Sequence, residues 1–86
     1  MGNAAGHTVL VTGATAGFGA AMARKYAADG AKVIITGRRA DRLAALKDEI
    51  GDNAHTLNFD IQDQDAVFKA IESLPADFSD ITILVN

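Results

Sequence analysis

With 86 residues, 49% of them hydrophobic, and eight bases against eleven acids for a formal net charge of −3, the chain is one domain or part of one. It has no cysteine, which excludes disulfides, thiolate zinc sites and cysteine nucleophiles. No apolar run reaches the ~18 residues of a membrane span, no charged segment leads into an apolar one at the N-terminus, and the acidic balance does not suit a nucleic-acid binder, so a soluble cytoplasmic protein with neither membrane nor nucleic-acid partner is expected.

The first predicted strand covers Thr8 to Thr12, where Val9, Leu10 and Val11 form a short apolar run that Gly13 ends. A helix follows over 17–29. It is rich in alanine, carries Met22 and Tyr26 four residues apart on one face, and has Gly30 placed as a left-handed cap. The second strand spans Lys32 to Thr36, with Val33, Ile34 and Ile35 consecutive, as suits a strand buried on both faces of a parallel sheet. Gly37 breaks it. The second helix covers 40–50, with Leu43, Leu46 and Ile50 on one stripe and Gly51 as cap.

The third strand is placed at His55 to Phe59. Asp63 reads as the N-cap of a third helix whose Val67, Ala70, Ile71 and Leu74 follow i, i+3, i+4, i+7 spacing, and Pro75 forbids its continuation. The fourth strand is Ile81 to Val85. Four strands alternating with three helices predict an α/β fold: a doubly wound parallel sheet with right-handed crossovers and strand order 3-2-1-4. The first two helices fall on one face and the third on the other. A single helix cannot cover four strands, so some of Ile83, Leu84 and Val85, and one of Val9, Leu10 and Val11, are expected to keep apolar surface toward solvent, and the isolated chain to self-associate.

The turn between the first strand and first helix reads Thr12-Gly13-Ala14-Thr15-Ala16-Gly17-Phe18-Gly19. Gly13 permits a sharp exit from the strand, Gly17 leaves room for a phosphate to approach the backbone, and Gly19 lets the helix pack closely on the sheet. The N–H groups and dipole at the helix start then favour a pyrophosphate. The spacing differs from both Gly-x-Gly-x-x-Gly and the P-loop. A turn without a ligand is the competing reading; the flanking buried strand and helix favour a nucleotide.

Charge sharpens this. Residues 1–47 carry seven bases and two acids, residues 48–86 one base and nine acids, and Arg38, Arg39 and Arg42 form a tight basic group. The end of a second strand lies beside the adenosine ribose in such folds. An acid there would select NAD, whereas Gly37-Arg38-Arg39 suits the 2′-phosphate of NADP. Arginines merely solvated at a helix N-terminus would oppose the helix dipole.

The sequence resembles the classical short-chain dehydrogenases/reductases from Thr8 to Asn86. The family's Thr-Gly-x-x-x-Gly-x-Gly motif is matched in full, and Thr36-Gly37-Arg38-Arg39, Arg42-Leu43, Asp60-Ile61 and Ile83-Leu84-Val85-Asn86 look like family segments in the right order. Ala14 to Gly19 and Gly37-Arg38-Arg39 are most similar to the NADP-dependent 3-hydroxy acid and serine dehydrogenase subgroup. The resemblance implies a Rossmann-like fold and an oxidoreductase that moves a hydride between NADP and a small hydroxyl or carbonyl substrate, a 3-hydroxy acid or serine, in a homo-oligomer, dimer or tetramer. It implies a cofactor site built from Gly13, Thr15, Gly17, Phe18, Gly19, Arg38, Arg39, Asp60, Ile61 and Asn86. In that site Asp60 receives the adenine amino group, the backbone after it holds the ring, and Phe18 lines the nicotinamide end. From the residues alone, Asp60 reads equally as a solvated turn former and Phe18 as a packed aromatic.

Departures matter too. Many NADP-using relatives carry a base where this chain has Ala16, and Thr82 stands where Asp is frequent. The family's catalytic Tyr-x-x-x-Lys pair is missing: Tyr26, the single tyrosine, is followed four residues later by Gly30 and lies on an apolar stripe. Neither Ser73, at a helix end, nor Ser79, in a loop, fits the family's substrate-binding serine. No catalytic residue is therefore expected within residues 1–86. They read as the N-terminal dinucleotide-binding part of one domain, a βαβαβαβ half cut short inside the Asn-Asn-Ala-Gly segment. A stand-alone nucleotide-binding or structural half-domain is the alternative.

Overall fold

The computed structural model describes residues 6–13, 17–59, 63–78 and 80–85. The elements are β1 (Thr8–Val11), α1 (Gly17–Ala28), β2 (Lys32–Gly37), α2 (Ala40–Ile50), β3 (Ala54–Asn58), α3 (Gln64–Glu72), a single 3-10 turn (Ala76–Phe78) and β4 (Ile83–Val85). All neighbouring strands are parallel, in the order β3-β2-β1-β4, as the alternation of elements predicts.

Register sorts the side chains onto two faces. Val9 stands beside Val33 and Ile83, and Val11 beside Ile35 and Val85. Adjacent partners share a face, and this one packs against α1 and α2 through Ala23, Leu43 and Leu46, with Tyr26 and Ile50 half-buried at its margin. Leu10 stands beside Ile34, and Ile34 beside His55, on the opposite face. That face gathers Ile34, Leu57 and Leu74, with Leu10, Ala70, Phe78 and Ile81 packed around them. The right-handed crossovers thus put α1 and α2 on one side and α3 on the other.

The second face is the thinner. Leu74 is buried and Val67 and Ala70 are half-buried, but Ile71 is 36% and Phe68 66% exposed. The apolar stripe of α3 is therefore only partly covered, because α3 is the one helix on that face among the described residues. Part of the remaining cover comes from the 3-10 turn after Pro75. It lays Phe78 against His55, with ring centroids 5.4 Å apart, and Lys32 Nζ lies 5.7 Å from the same ring while donating to the Asp77 carbonyl at 3.2 Å. Val9 and Val11 are fully buried, whereas Leu10, Ile83 and Val85 are half-buried, in keeping with the expected shortage of cover.

Local chemistry sets the element ends. Gly30 and Gly51, both at φ 95°, close α1 and α2 in a conformation open to glycine. Asp63 caps α3, its Oδ1 accepting from Ala66 N at 3.2 Å. All four strands differ slightly from expectation: β1 ends at Val11, before Thr12, and β3 at Asn58, before Phe59. β2 keeps Gly37, which pairs with Asn58, and β3 begins one residue early because Ala54 pairs with Val33. β4 is shorter, since the Thr82 hydroxyl accepts from Thr8 N at 3.2 Å where a ladder carbonyl would otherwise stand, while Ile81 turns into the second core.

Candidate nucleotide-binding site

Because every strand is parallel, β1, β2, β3 and β4 end along one edge of the sheet, at Val11, Gly37, Asn58 and Val85. The crossover from β3 through α3 to β4 reverses the direction of travel across the sheet, so the switch point lies between β1 and β4, and a crevice outside the carboxyl ends of strands at such a point is where ligands bind in open α/β folds. The glycine turn and the arginines both sit on this edge.

Gly13 leaves β1 at φ 66°, so its conformation alone calls for glycine. Gly17 is different. It opens α1 with no positive φ, and a Cβ built on it meets nothing within 4 Å. Among the described residues nothing in the chain itself calls for glycine there. Gly19, two residues further into the helix, is buried. The first turn of α1 has no acidic residue, leaving the positive end of the helix uncompensated. Phe18 projects from this turn 70% exposed and, among the described residues, belongs to neither core.

Across β2, Arg38 and Arg39 are exposed, and Arg39 occupies the N-cap of α2 in extended conformation without a side-chain capping bond. Ser, Thr, Asp or Asn would stabilise that position. Two cations there, ahead of a helix whose first turn holds Asp41, break the local rule for helix starts, and such breaks cluster where function is served. Arg42 is exposed one turn further on. Thr15, Asp60, Ile61 and Asn86 lie outside the described residues.

Sequence reasoning missed three side chains that tie these strand ends together. Thr12 Oγ1 donates to the Val85 carbonyl at 3.2 Å, joining β1 to β4. Thr36 Oγ1, buried, donates to the Val11 carbonyl at 3.2 Å, joining β2 to the root of the glycine turn. Asn58 Nδ2 donates to the Gly37 carbonyl at 3.1 Å, joining β3 to β2. The signal available in sequence was a donor at the carboxyl end of three successive strands, but none announces its acceptor.

The family described as short chain dehydrogenase matches residues 7–86. The chain belongs to this family. A serine 3-dehydrogenase of Agrobacterium fabrum is 57% identical over 79 residues, which is 92% of this chain and 32% of that protein. An NADP-dependent 3-hydroxy acid dehydrogenase of Salmonella typhi is 54% identical over 78 residues, 91% of this chain and 32% of that one. The closed form of a serine dehydrogenase complexed with NADP+ superposes with a TM-score of 0.87 at 49% identity, covering 90% of this chain and 31% of its own. This short chain dehydrogenase sequence therefore spans about a third of the length of the curated relatives it matches. Among its described residues, no helix is long and apolar enough to cross a membrane.

Proposed function

We propose that this chain is the NADP(H)-binding portion of a short-chain oxidoreductase acting on a small hydroxyl or carbonyl substrate, a 3-hydroxy acid or serine. The observation that carries the reading is the Gly37-Arg38-Arg39 end of β2, set on the same sheet edge as the glycine turn. NADP+ bound there would supply a hydride acceptor. The chain's own part is to hold it: the Gly13 to Gly19 turn takes the pyrophosphate against the start of α1, Arg38 and Arg39 take the 2′-phosphate, and this strand end lacks the acid that would favour a free 2′-hydroxyl. Asp60 and Ile61 hold the adenine, Asn86 and Phe18 border the nicotinamide, and Thr15 adds a hydroxyl to the turn.

The open space above Gly17 supports the fit, since no described residue of the chain fills the place a phosphate would take. The names of the relatives, two serine dehydrogenases and an NADP-dependent 3-hydroxy acid dehydrogenase, support the cofactor and the substrate class. Residues 1–86 contain no Tyr-x-x-x-Lys pair; Tyr26 packs at the margin of the first core. Proton transfer to the substrate oxygen is accordingly assigned to residues outside this sequence, in a cytoplasmic homo-oligomer, and residues 1–86 alone are expected to bind nucleotide without turning it over.

The test is the NADPH-to-NADH preference of an Arg38→Ala, Arg39→Ala double variant of the intact protein. Loss of charge-assisted contacts to the 2′-phosphate should cost about 1.5–3 kcal/mol of NADPH binding and leave NADH little changed. An unchanged preference would place the phosphate elsewhere.

A further inference from the structure

β2 outruns β1. Its pairing with β1 ends where Ile35 meets Val11, while its pairing with β3 continues to Gly37 and Asn58. Thr36 and Gly37 thus extend past β1 immediately before the two arginines. Thr36 is tied back by its buried hydroxyl to the Val11 carbonyl. Gly37 has no side chain and is tied through its carbonyl, which accepts from Phe59 N at 3.0 Å and from Asn58 Nδ2 at 3.1 Å. A carbonyl only accepts, so the partner has to be the amide nitrogen of Asn58 and not its oxygen.

That carbonyl belongs to the peptide unit linking Gly37 to Arg38. The unit is planar, so fixing its oxygen fixes the direction in which Arg38 leaves the sheet. Glycine on one side leaves this unit freer to rotate than it would be between two larger residues. The Phe59 bond supplies one tether and the Asn58 carboxamide the second.

We infer that Asn58 is a positioning residue for cofactor selectivity, orienting the Gly37–Arg38 peptide and through it the Arg38–Arg39 pair toward the 2′-phosphate. The inference rests on the proposed role of those arginines. In this role Asn58 makes no cofactor contact of its own. It reduces the ordering that two long cationic side chains and their backbone would otherwise undergo on binding. Its effect therefore falls on nucleotides that carry the 2′-phosphate and much less on those that lack it.

The experiment is calorimetric titration of the intact protein with NADPH and NADH, for the native form, Asn58→Ala and Asn58→Gln. Asn58 is exposed at the end of its strand, so truncation leaves both cores untouched. Asn58→Ala is expected to weaken NADPH binding about three- to tenfold, the equivalent of one hydrogen bond, with NADH weakened less, so that the preference ratio falls. Asn58→Gln keeps an amide donor and is expected to recover part of the ratio. Equal weakening toward both nucleotides, an unchanged ratio, or a Gln variant no better than Ala would overturn the inference. A native protein with no NADPH preference would overturn the arginine reading and this one with it, and that outcome is read from the native titration alone.

Discussion

Gly13 and Gly17 are four residues apart and are glycines for different reasons. Gly13 answers to its own backbone at φ 66°, so Gly13→Ala should destabilise the fold by about 1–2 kcal/mol, the cost of a side chain in the left-handed region. Gly17 answers to open space at the start of α1. Gly17→Ala should leave thermal stability unchanged or slightly raised, since alanine favours a helix, while nucleotide affinity falls. Denaturation and titration of the two variants side by side separate the cases, and a Gly17→Ala protein that binds normally would remove the ligand argument. His55 shows a third kind of residue effect. Its imidazole titrates below the usual 6.5, first because burial disfavours the charged ring and second because Lys47 repels it. The unfolded chain therefore binds a proton at a pH where the folded chain does not. The contribution of His55 to stability is full above about pH 6.5 and is lost as the pH falls through the lowered folded value. Unfolding midpoints measured from pH 8 to pH 5 should fall over that lower range, and His55→Gln should flatten the decline; parallel curves for the two proteins would contradict it.

At the scale of elements, α2 begins badly as a helix, which the proposed 2′-phosphate site would account for. Arg39 sits in extended conformation at the N-cap and makes no capping bond. Arg39→Ser should stabilise the protein by about 1 kcal/mol by supplying the missing acceptor, and at the same time weaken NADPH binding. A variant that gained stability without losing affinity would show that Arg39 takes no part in the site. The four strands and three helices were legible because their signals are local: Val33-Ile34-Ile35, bounded by Gly30 and Gly37, reads as a short buried strand, and Asp63 ahead of Val67, Ala70 and Ile71 as a helix start. The glycine turn was legible for the same reason, as a string of neighbours. What escaped notice depends on distant partners. The Asn58 carboxamide meets a carbonyl 21 residues away, the Thr36 hydroxyl one 25 residues away and the Thr12 hydroxyl one 73 residues away. Asn at a strand end looks like an ordinary turn former. The true start of β4 was hidden likewise, because Ile81 and Thr82 continue the apolar run while serving the second core and the Thr8 amide instead.

The molecule as a whole is lopsided. One face of the sheet is covered by α1 and α2, whose Arg24 and Glu49 form an ion pair across them, and the other by α3 and the 3-10 turn alone among the described residues. Phe68 and Ile71 leave apolar surface on that second side, 66% and 36% exposed. An 86-residue polypeptide of this sequence should therefore associate with itself in solution. Phe68→Lys combined with Ile71→Lys should move the sedimentation profile toward monomer, whereas an unaltered chain that sediments as a monomer would show the thin face to be adequate. The central place of β1 has a consequence in time. It is synthesised before the other three described strands, yet it needs a neighbour on each side, and Thr8 bonds to Thr82, 74 residues later. At about 5–20 residues per second, roughly 4–15 seconds of translation separate the two. Throughout that interval Val9, Leu10 and Val11 wait with at least one ladder edge bare, a window in which the nascent chain is open to pairing with foreign strands.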